Sequence, residues 1–247
     1  MFNCIGRNPA SPQSYGTIRD PPAPTPRVQV SFPIDFPAPS ASVKVMLLSV
    51  VKYGHPVLRQ RGKRIEAVTA EIRELAAAMV ETMRASGGVG LAAQQVGRPL
   101  LLMVADVRDS ERPSTMHFGN AEVDIAAHMP MVLLNPVIGD PVGKELGLEG
   151  CLSFPGITAD IYRADSCSVS ALDLDGRPLK FRCTGLLARV IQHENDHLHG
   201  VLFMDRMDSA TKVSLAGTLK RLQKETQAAL PPARKRASRG LPTSLRT

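Results

Sequence analysis

The chain has 247 residues, of which 43% are hydrophobic and 21% charged, with a formal net charge of +7. This is the composition of a globular protein, and no apolar run is long enough to span a bilayer, which excludes a membrane-spanning class. Residues 231–247 hold five basic and no acidic residues, and residues 1–45 hold four basic and two acidic residues, so the middle is formally neutral. The body is therefore not a basic nucleic-acid module, and no DNA partner is expected.

The four cysteines show no Cys-x-x-Cys spacing, and the chain is too large to need a disulfide framework. A reducing compartment follows, and with no secretory pattern at the N-terminus we expect a cytoplasmic protein. Cys167 and Cys183 lie in apolar alternating stretches, which is typical of buried, inert thiols.

Residues 1–45 contain nine of the 20 prolines and no periodicity. We expect a disordered N-terminal extension there, with a mis-set start or a targeting role left open. Residues 231–247 predict a basic disordered tail. The body between them, 46–230, is expected to be one catalytic domain.

The first regular element predicted is a helix over 70–85. Its apolar residues recur at one face of a 3.6-residue period: Ile72, Leu75, Ala76, Met79, Val80 and Met83. Thr69 is placed to cap its N-terminus, and Ser86-Gly87-Gly88 ends it.

Short apolar runs then predict strands at 100–105, 131–138, 168–174 and 179–183, with a hairpin turn at Asp175-Gly176. Residues 107–128 are polar and irregular, which predicts a long surface loop. Further helices are expected from about 184 to 197 and from 210 to about 227. Because strands and helices fall in separate blocks, the sequence predicts an α+β fold with mostly antiparallel sheets.

The segment 193–197 reads His-Glu-Asn-Asp-His. On a helix, residues four apart lie one above the other, so His193 and His197 are spaced to hold one ion. Glu194 beside them suits a base acting on water at that ion. The alternative is a pair of surface histidines, but the apolar residues just before them indicate a helix that runs into the core.

A third ligand is needed, and Cys151 in Glu149-Gly150-Cys151-Leu152-Ser153 can supply a thiolate. A Cys-His-His set leaves one position open, as in catalytic sites. Taken alone, Cys151 could equally be a small buried hydrophobic residue.

Together with Gly88-Val89-Gly90-Leu91-Ala92-Ala93-Gln94-Gln95, these segments resemble the three signatures of the peptide deformylase family, over about residues 46–224. The resemblance implies a metallohydrolase that removes the N-formyl group from the initiator methionine of nascent polypeptides. It also implies that the antiparallel sheets pack around a central metal-binding helix. The expected ion is ferrous iron, replaceable by nickel, cobalt or zinc, with an oxygen-sensitive thiolate as a ligand.

The resemblance also implies the residue roles. Glu194 carries the proton, while the side chain of Gln95 and the backbone N–H of Leu152 stabilise the oxyanion. Asp196 pairs with Arg163 and fixes the helix against a strand, with a solvated salt bridge as the alternative.

The peptide is expected to lie along Val89 and Gly90, where the glycine permits close backbone approach, and to contact Gly150. Val89, Leu186 and Val190 are expected to form the methionine pocket, although plain core packing explains them equally well. One departure from the family pattern is Thr158, close to where many bacterial members carry a basic residue that meets the substrate backbone.

Three alternative functions remain at this stage. A general metallopeptidase would share the helix motif but not the other two signatures. A non-catalytic ribosome-associated module would use the basic tail, which could equally add transient ribosome contact to an enzyme. A Cys151 nucleophile would leave the two histidines unexplained.

Overall fold

The fold is taken from a computed structural model that describes residues 46–231. The predicted extension at 1–45 and the basic tail, apart from Pro231, lie outside the described residues. Within 46–231, none of the helices has the length and apolar character required to cross a membrane.

Four helices and nine strands are present in the described part of the chain. The helices are α1 (Ala70–Ala85), α2 (Gly185–Leu198), the single turn α3 (Phe203–Arg206) and α4 (Ser209–Ala229). The strands are β1 (Gly90–Ala92), β2 (Leu102–Ala105), β3 (Met116–Phe118), β4 (Ala121–Glu122), β5 (Met131–Val142), β6 (Glu145–Gly150), β7 (Thr158–Arg163), β8 (Ser166–Leu172) and β9 (Pro178–Thr184). The predicted strands are all found, with ends displaced by up to four residues.

Seven strands form one sheet in the order β1-β2-β5-β8-β9-β3-β4, and β6 pairs with β7 in a separate two-stranded sheet. All of these pairs are antiparallel. The hairpin between β8 and β9 turns at Asp175-Gly176, with Gly176 at a φ of 75°. The predicted α+β fold is confirmed.

The large sheet is covered on both faces because alternate residues of its central strands point to opposite sides. Leu102 and Val104 of β2 pack with Met79 of α1. Met103 and Ala105 pack on the other side with residues of α2. Burial on both faces explains why β2 reads as a continuous apolar run.

A third apolar cluster joins α3 and α4 to the two-stranded sheet. Its members include Phe154, Ile161, Phe203 and Leu219. Phe154 and Phe203 meet edge to face, with ring centroids 4.9 Å apart. This cluster holds the segment after β6 against α3 and α4.

α1 begins and ends where the sequence predicts. The Thr69 side chain accepts a hydrogen bond from the N–H of Ile72, one of the donors that the first turn leaves unpaired. The residues of its apolar face, including Leu75, Met79 and Met83, are buried. Intrinsic capping and amphipathic burial therefore act together in this helix.

The predicted surface loop at 107–128 is wrong. β3 and β4 form there, followed by a 3-10 turn at Ile125–His128. β3 is only three residues long and pairs with β4 on one side and with β9 on the other, where Met116 lies opposite Cys183. Such a short strand leaves no readable period in the sequence, so its pairing defines it. The hairpin of β6 and β7 is likewise absent from the sequence prediction.

α2 runs through the interior, since eleven of its fourteen residues are buried. Its first turn is held by the loop before β3: the N–H of Leu186 donates to the Pro113 carbonyl at 3.2 Å, and that of Leu187 donates to Ser114 Oγ at 3.0 Å. Gly185 has a φ of +60°, and a Cβ there would lie 2.2 Å from the Pro113 oxygen. A side chain at 185 would therefore separate the loop from the helix.

We expect Gly185→Ala to lower the free energy of unfolding by about 3 kcal/mol or more, because overpacking adds to the cost of a left-handed backbone. Gly97→Ala is the matched control: Gly97 has a φ of +79° but open space around its Cβ position. Its expected cost is about 1–2 kcal/mol. Urea unfolding of both variants measures the difference, and equal losses would contradict the close contact at Gly185.

Candidate metal and active site

Cys151, His193 and His197 lie together, with one potential ligand atom from each within 4.8 Å of the others. Cys151 directly follows β6, and both histidines lie on α2, four residues apart. The Cys151 Sγ lies 3.3 Å from His197 Nε2. The turn after β6 thus brings a thiol to a pair of imidazoles that helical spacing aligns.

Glu194 is buried beside these three side chains, where β1 and α2 approach closely. A Cβ on Gly90 would lie 2.5 Å from Glu194 Oε1 and 2.7 Å from Val190 Cγ1. The space that a side chain at 90 would need is therefore filled by α2. The sequence explains Gly90 by the close approach of the substrate backbone, whereas the structure explains it by the contact with α2. Any side chain at position 90 would displace the Glu194 carboxylate.

Gln95 reaches the site from the 3-10 turn that follows β1. Its Oε1 accepts a hydrogen bond from the N–H of Ala92 at 2.8 Å, which fixes the amide orientation. Its Nε2 therefore faces Cys151 Sγ, at 3.5 Å. Within the described part of the chain, the backbone N–H of Leu152 has no hydrogen-bond acceptor. Two donors thus lie at or next to the thiol, and both are named by the sequence prediction.

The surroundings of the site shift the pKa values of its titratable residues in different directions. Burial raises the pKa of Glu194 to about 7, with the nearby His193 and Arg163 opposing that rise. Burial would lower the pKa of His193, but its interactions with Cys151 and Glu149 outweigh this and raise it well above the usual range. Burial and the positive charge of His193 lower the pKa of His197 well below it. A cation bound here would pull the pKa of Glu194 down.

Glu149 is a heavily bonded carboxylate near the site, and the sequence prediction assigns it no role. It is 6% exposed and accepts from Arg163 Nε at 2.9 Å and Nη2 at 3.0 Å, and from Arg189 Nη1 at 2.9 Å. Its Oε2 also lies 2.9 Å from His193 Nδ1. Burial would raise the pKa of Glu149, but the bonds from His193 and Arg163 lower it to about 2.

The contact between Glu149 and His193 sets the orientation of one metal-ligand candidate. A carboxylate that accepts from Nδ1 fixes the imidazole tautomer and leaves Nε2 of His193 with a lone pair for an ion. The role of Glu149 could have been suspected from the sequence because this glutamate lies in the same short segment as Cys151. Arg189 belongs to none of the three motifs, so the sequence does not reveal its contact with Glu149.

Arg163 and Asp196 are in contact, as the resemblance implies. Arg163 Nη1 bonds to Asp196 Oδ2, and both side chains are under a tenth exposed. Asp196 also accepts from Arg206 Nε at 3.0 Å and Nη2 at 2.6 Å. Arg163 therefore joins two buried carboxylates, one on β6 and one on α2. The solvated salt bridge considered as an alternative does not describe this pair.

A cavity of about 580 Å³ opens onto the site. Thr158 and all five residues predicted to bind substrate line it; the five are Val89, Gly90, Gly150, Leu186 and Val190. Leu186 and Val190 are also members of the apolar cluster between the sheet and α2. Core packing and cavity lining are therefore not exclusive for these two side chains, because one face of each packs in the core and another meets the cavity.

The donor set fits a divalent transition metal. One thiolate and two imidazoles are ligands that iron, cobalt, nickel and zinc accept, and the cavity leaves room for an open coordination position. Glu194 Oε2 is buried and has no hydrogen-bond partner within residues 46–231. Buried polar atoms without partners are costly, which indicates that the site is shaped for an ion and its water.

Known proteins are similar to this chain in sequence and in fold. The family model of polypeptide deformylase matches residues 47–213. The chain belongs to the polypeptide deformylase family. A relative named peptide deformylase from Opitutus terrae is 44% identical over 186 residues, covering 74% of this chain and 97% of that one. Another from a Picosynechococcus species is 45% identical over 169 residues, covering 68% and 81%.

Solved structures of the deformylase family agree with the fold. The crystal structure of peptide deformylase from Thermus thermophilus aligns with a TM-score of 0.62 at 36% identity, covering 73% of this chain and 99% of that one. The region matched by the family model includes the motifs that hold Gln95, Cys151 and His193. The grouped side chains of the candidate site therefore lie within the region that places the chain in the deformylase family.

Metal analysis of protein purified without oxygen is expected to give one ion per chain. Cys151→Ala should lower the content to a small fraction of this, because two imidazoles alone bind a divalent ion weakly. Cys167→Ala is the control, since Cys167 is buried with its Sγ 3.8 Å from that of Cys183 and is not part of the ligand group. Retention of a full ion by Cys151→Ala would contradict the ligand assignment.

Glu149→Gln is expected to lower the free energy of unfolding by about 3–5 kcal/mol, because it leaves two buried arginines without their shared anion. Glu145→Gln removes a carboxylate that also contacts Arg189 but is 47% exposed in its side chain. Its expected cost is under about 1 kcal/mol. Urea unfolding of the metal-free proteins makes the comparison; losses of similar size would show that Glu149 is not the anion on which the cluster depends.

Proposed function

We propose that the cavity and the Cys151–His193–His197 group form the active site with which this family member acts. The chain is a hydrolase that removes the N-formyl group from the initiator methionine of nascent polypeptides. The observation that carries the site assignment is the grouping of three ligand atoms within 4.8 Å, beside a buried carboxylate and open to a cavity. Residues 46–230 act as the catalytic domain.

The three ligands would hold one divalent ion, for which we infer Fe²⁺. A thiolate and two imidazoles accept Fe²⁺, and the choice of iron among the ions that they accept rests on the family resemblance. Nickel, cobalt and zinc tolerate the same donors and should substitute. When bound, the ion would lower the pKa of a water molecule and polarise the formyl carbonyl.

Glu194 is proposed to move the proton. Its pKa of about 7 in the metal-free protein and its unpartnered Oε2 within the described residues support this role. The carboxylate accepts a proton from the water that attacks the formyl carbon, then donates it to the amide nitrogen as the C–N bond breaks. The products are formate and a peptide with a free α-amine.

Gln95 and Leu152 are proposed to bind the carbonyl oxygen as negative charge develops on it. The Gln95 amide is already oriented by its bond from Ala92, so its Nε2–H needs no reorganisation when the charge appears. The Leu152 N–H, without an acceptor among the described residues, is a backbone donor one residue from the thiol. Preorganised donors of this kind act mainly on the transition state.

Arg163 and Glu149 are proposed to position the ligands without contacting the reacting atoms. They connect β6, which leads to Cys151, with α2, which carries the histidines. Asp196 anchors the other end of this link. Their effect would reach the reaction through the geometry of the metal ligands.

The substrate is proposed to enter as an extended chain beside Val89, Gly90 and Gly150. The methionine side chain would fill the apolar part of the cavity formed by Leu186 and Val190. A cytoplasmic location is inferred from the need to keep the Cys151 thiol reduced. Transient ribosome contact through the basic tail stays a prediction from charge alone.

Anaerobically purified wild-type protein should release formate from formyl-Met-Ala-Ser. Glu194→Gln should reduce kcat by about 10²–10⁴-fold, the usual contribution of a positioned acid-base group, and a chelator should abolish activity until Fe²⁺ is restored. Glu225→Gln, at an exposed position on α4, is the control and should be unaffected.

Two further measurements separate the alternatives. Cleavage of Met-Ala-Ser without a formyl group would favour a general metallopeptidase. Activity that survives complete metal removal would favour a Cys151 nucleophile. A sample with one metal per chain that releases no formate would overturn the proposal and leave the non-catalytic module.

A further inference from the structure

Of the three cations among the described residues that line the cavity, one has no protein partner for its charge. Arg112 lines the cavity with Lys52 and Arg189. Lys52 Nζ donates to the Leu152 carbonyl at 3.0 Å, and Arg189 bonds to Glu149. Among the described residues, no hydrogen bond or ion pair involves the Arg112 guanidinium, and the residue is exposed. This charge is therefore available to a molecule in the cavity.

The backbone that carries Arg112 is attached to the wall of the cavity. The carbonyl of the next residue, Pro113, accepts a hydrogen bond from the N–H of Leu186, and Ser114 Oγ accepts from that of Leu187. The N–H of Arg112 itself donates to Ser110 Oγ at 3.2 Å. Because Leu186 lines the cavity, the loop holds Arg112 beside the proposed methionine pocket.

The charge balance of the rim favours an anion. The two acidic lining residues, Glu149 and Glu194, are both buried at the metal end. Thr158, which is uncharged, also lines the cavity. Of the three cations that line it, Lys52 and Arg189 are at least partly buried and Arg112 is the exposed one.

We propose that Arg112 binds an acidic side chain at the first or second residue after the formyl-methionine. A guanidinium forms paired hydrogen bonds with a carboxylate. Arg112 is held beside the proposed methionine pocket, and the residues that directly follow the methionine are the ones that leave this pocket along an extended chain. The inference rests on the proposed function of the cavity. Arg112 would then influence which peptides are preferred without contacting the reacting atoms.

The test uses metal-loaded full-length protein and formyl-Met peptides whose C-termini are amidated, so that no terminal carboxylate can mimic the side chain. Asp, Asn and Lys are compared at the second and third positions. We expect kcat/KM to be about two- to fivefold higher for Asp than for Asn at one of these positions, the effect of an exposed ion pair. The difference should lie in KM, since the contact is equal in ground and transition states.

Arg112→Gln should remove the Asp preference and leave kcat on the Asn peptide unchanged. Arg112→Glu should favour Lys instead. Arg182→Gln is the control with the same charge change, at an exposed position on β9 that does not line the cavity, and should keep the wild-type preference. High salt should weaken the preference in wild type.

Equal kcat/KM for Asp and Asn at both positions, with the Asn peptide hydrolysed normally, would overturn the role of Arg112 alone. A preference that persists in Arg112→Gln would do the same. Failure to hydrolyse any formylated peptide would instead overturn the proposed function on which the inference rests.

Discussion

The buried carboxylate of Glu149 is the interaction on which the geometry of the site depends. It lies at the end of β6, two residues before Cys151, and has hydrogen bonds to Arg163, Arg189 and His193. A lone buried carboxylate would be costly, but three partners with positive character offset that cost and resist movement of the strand relative to α2. The thiol and the imidazoles are thereby held in one arrangement by the protein's own contacts.

The second constraint is the close approach of β1 and α2. Glycine at 90 leaves room for Glu194 and Val190, so the strand that borders the cavity can lie directly on the helix that carries the base. At the other end of α2, Gly185 allows the loop around Pro113 to meet the first turn. Both contacts place backbone against helix, and both fix residues that line the cavity. Packing and chemistry are therefore set by the same few positions.

The two buried carboxylates of the site, Glu149 and Glu194, have different roles. Two carboxylates near the ligands are both buried, yet the pKa of Glu149 is lowered to about 2 while that of Glu194 is raised to about 7. The difference lies in their partners: Glu149 is surrounded by donors, whereas one oxygen of Glu194 has none within the described residues. In the metal-free protein, one carboxylate therefore stays ionised and structural, and the other can exchange a proton near neutral pH.

The sequence by itself determined the helix α1, the ligand spacing on α2 and the segment that supplies the third ligand. Helical period and short local motifs are visible in a chain because they involve residues a few positions apart. Only the tertiary structure decided the strands β3 and β4, the charge cluster at Glu149 and Arg189, and the place of Arg112 at the cavity rim. The charge cluster and the place of Arg112 depend on residues tens of positions apart, whose contacts are set by packing and burial. β3 and β4 are too short to show a period in the sequence.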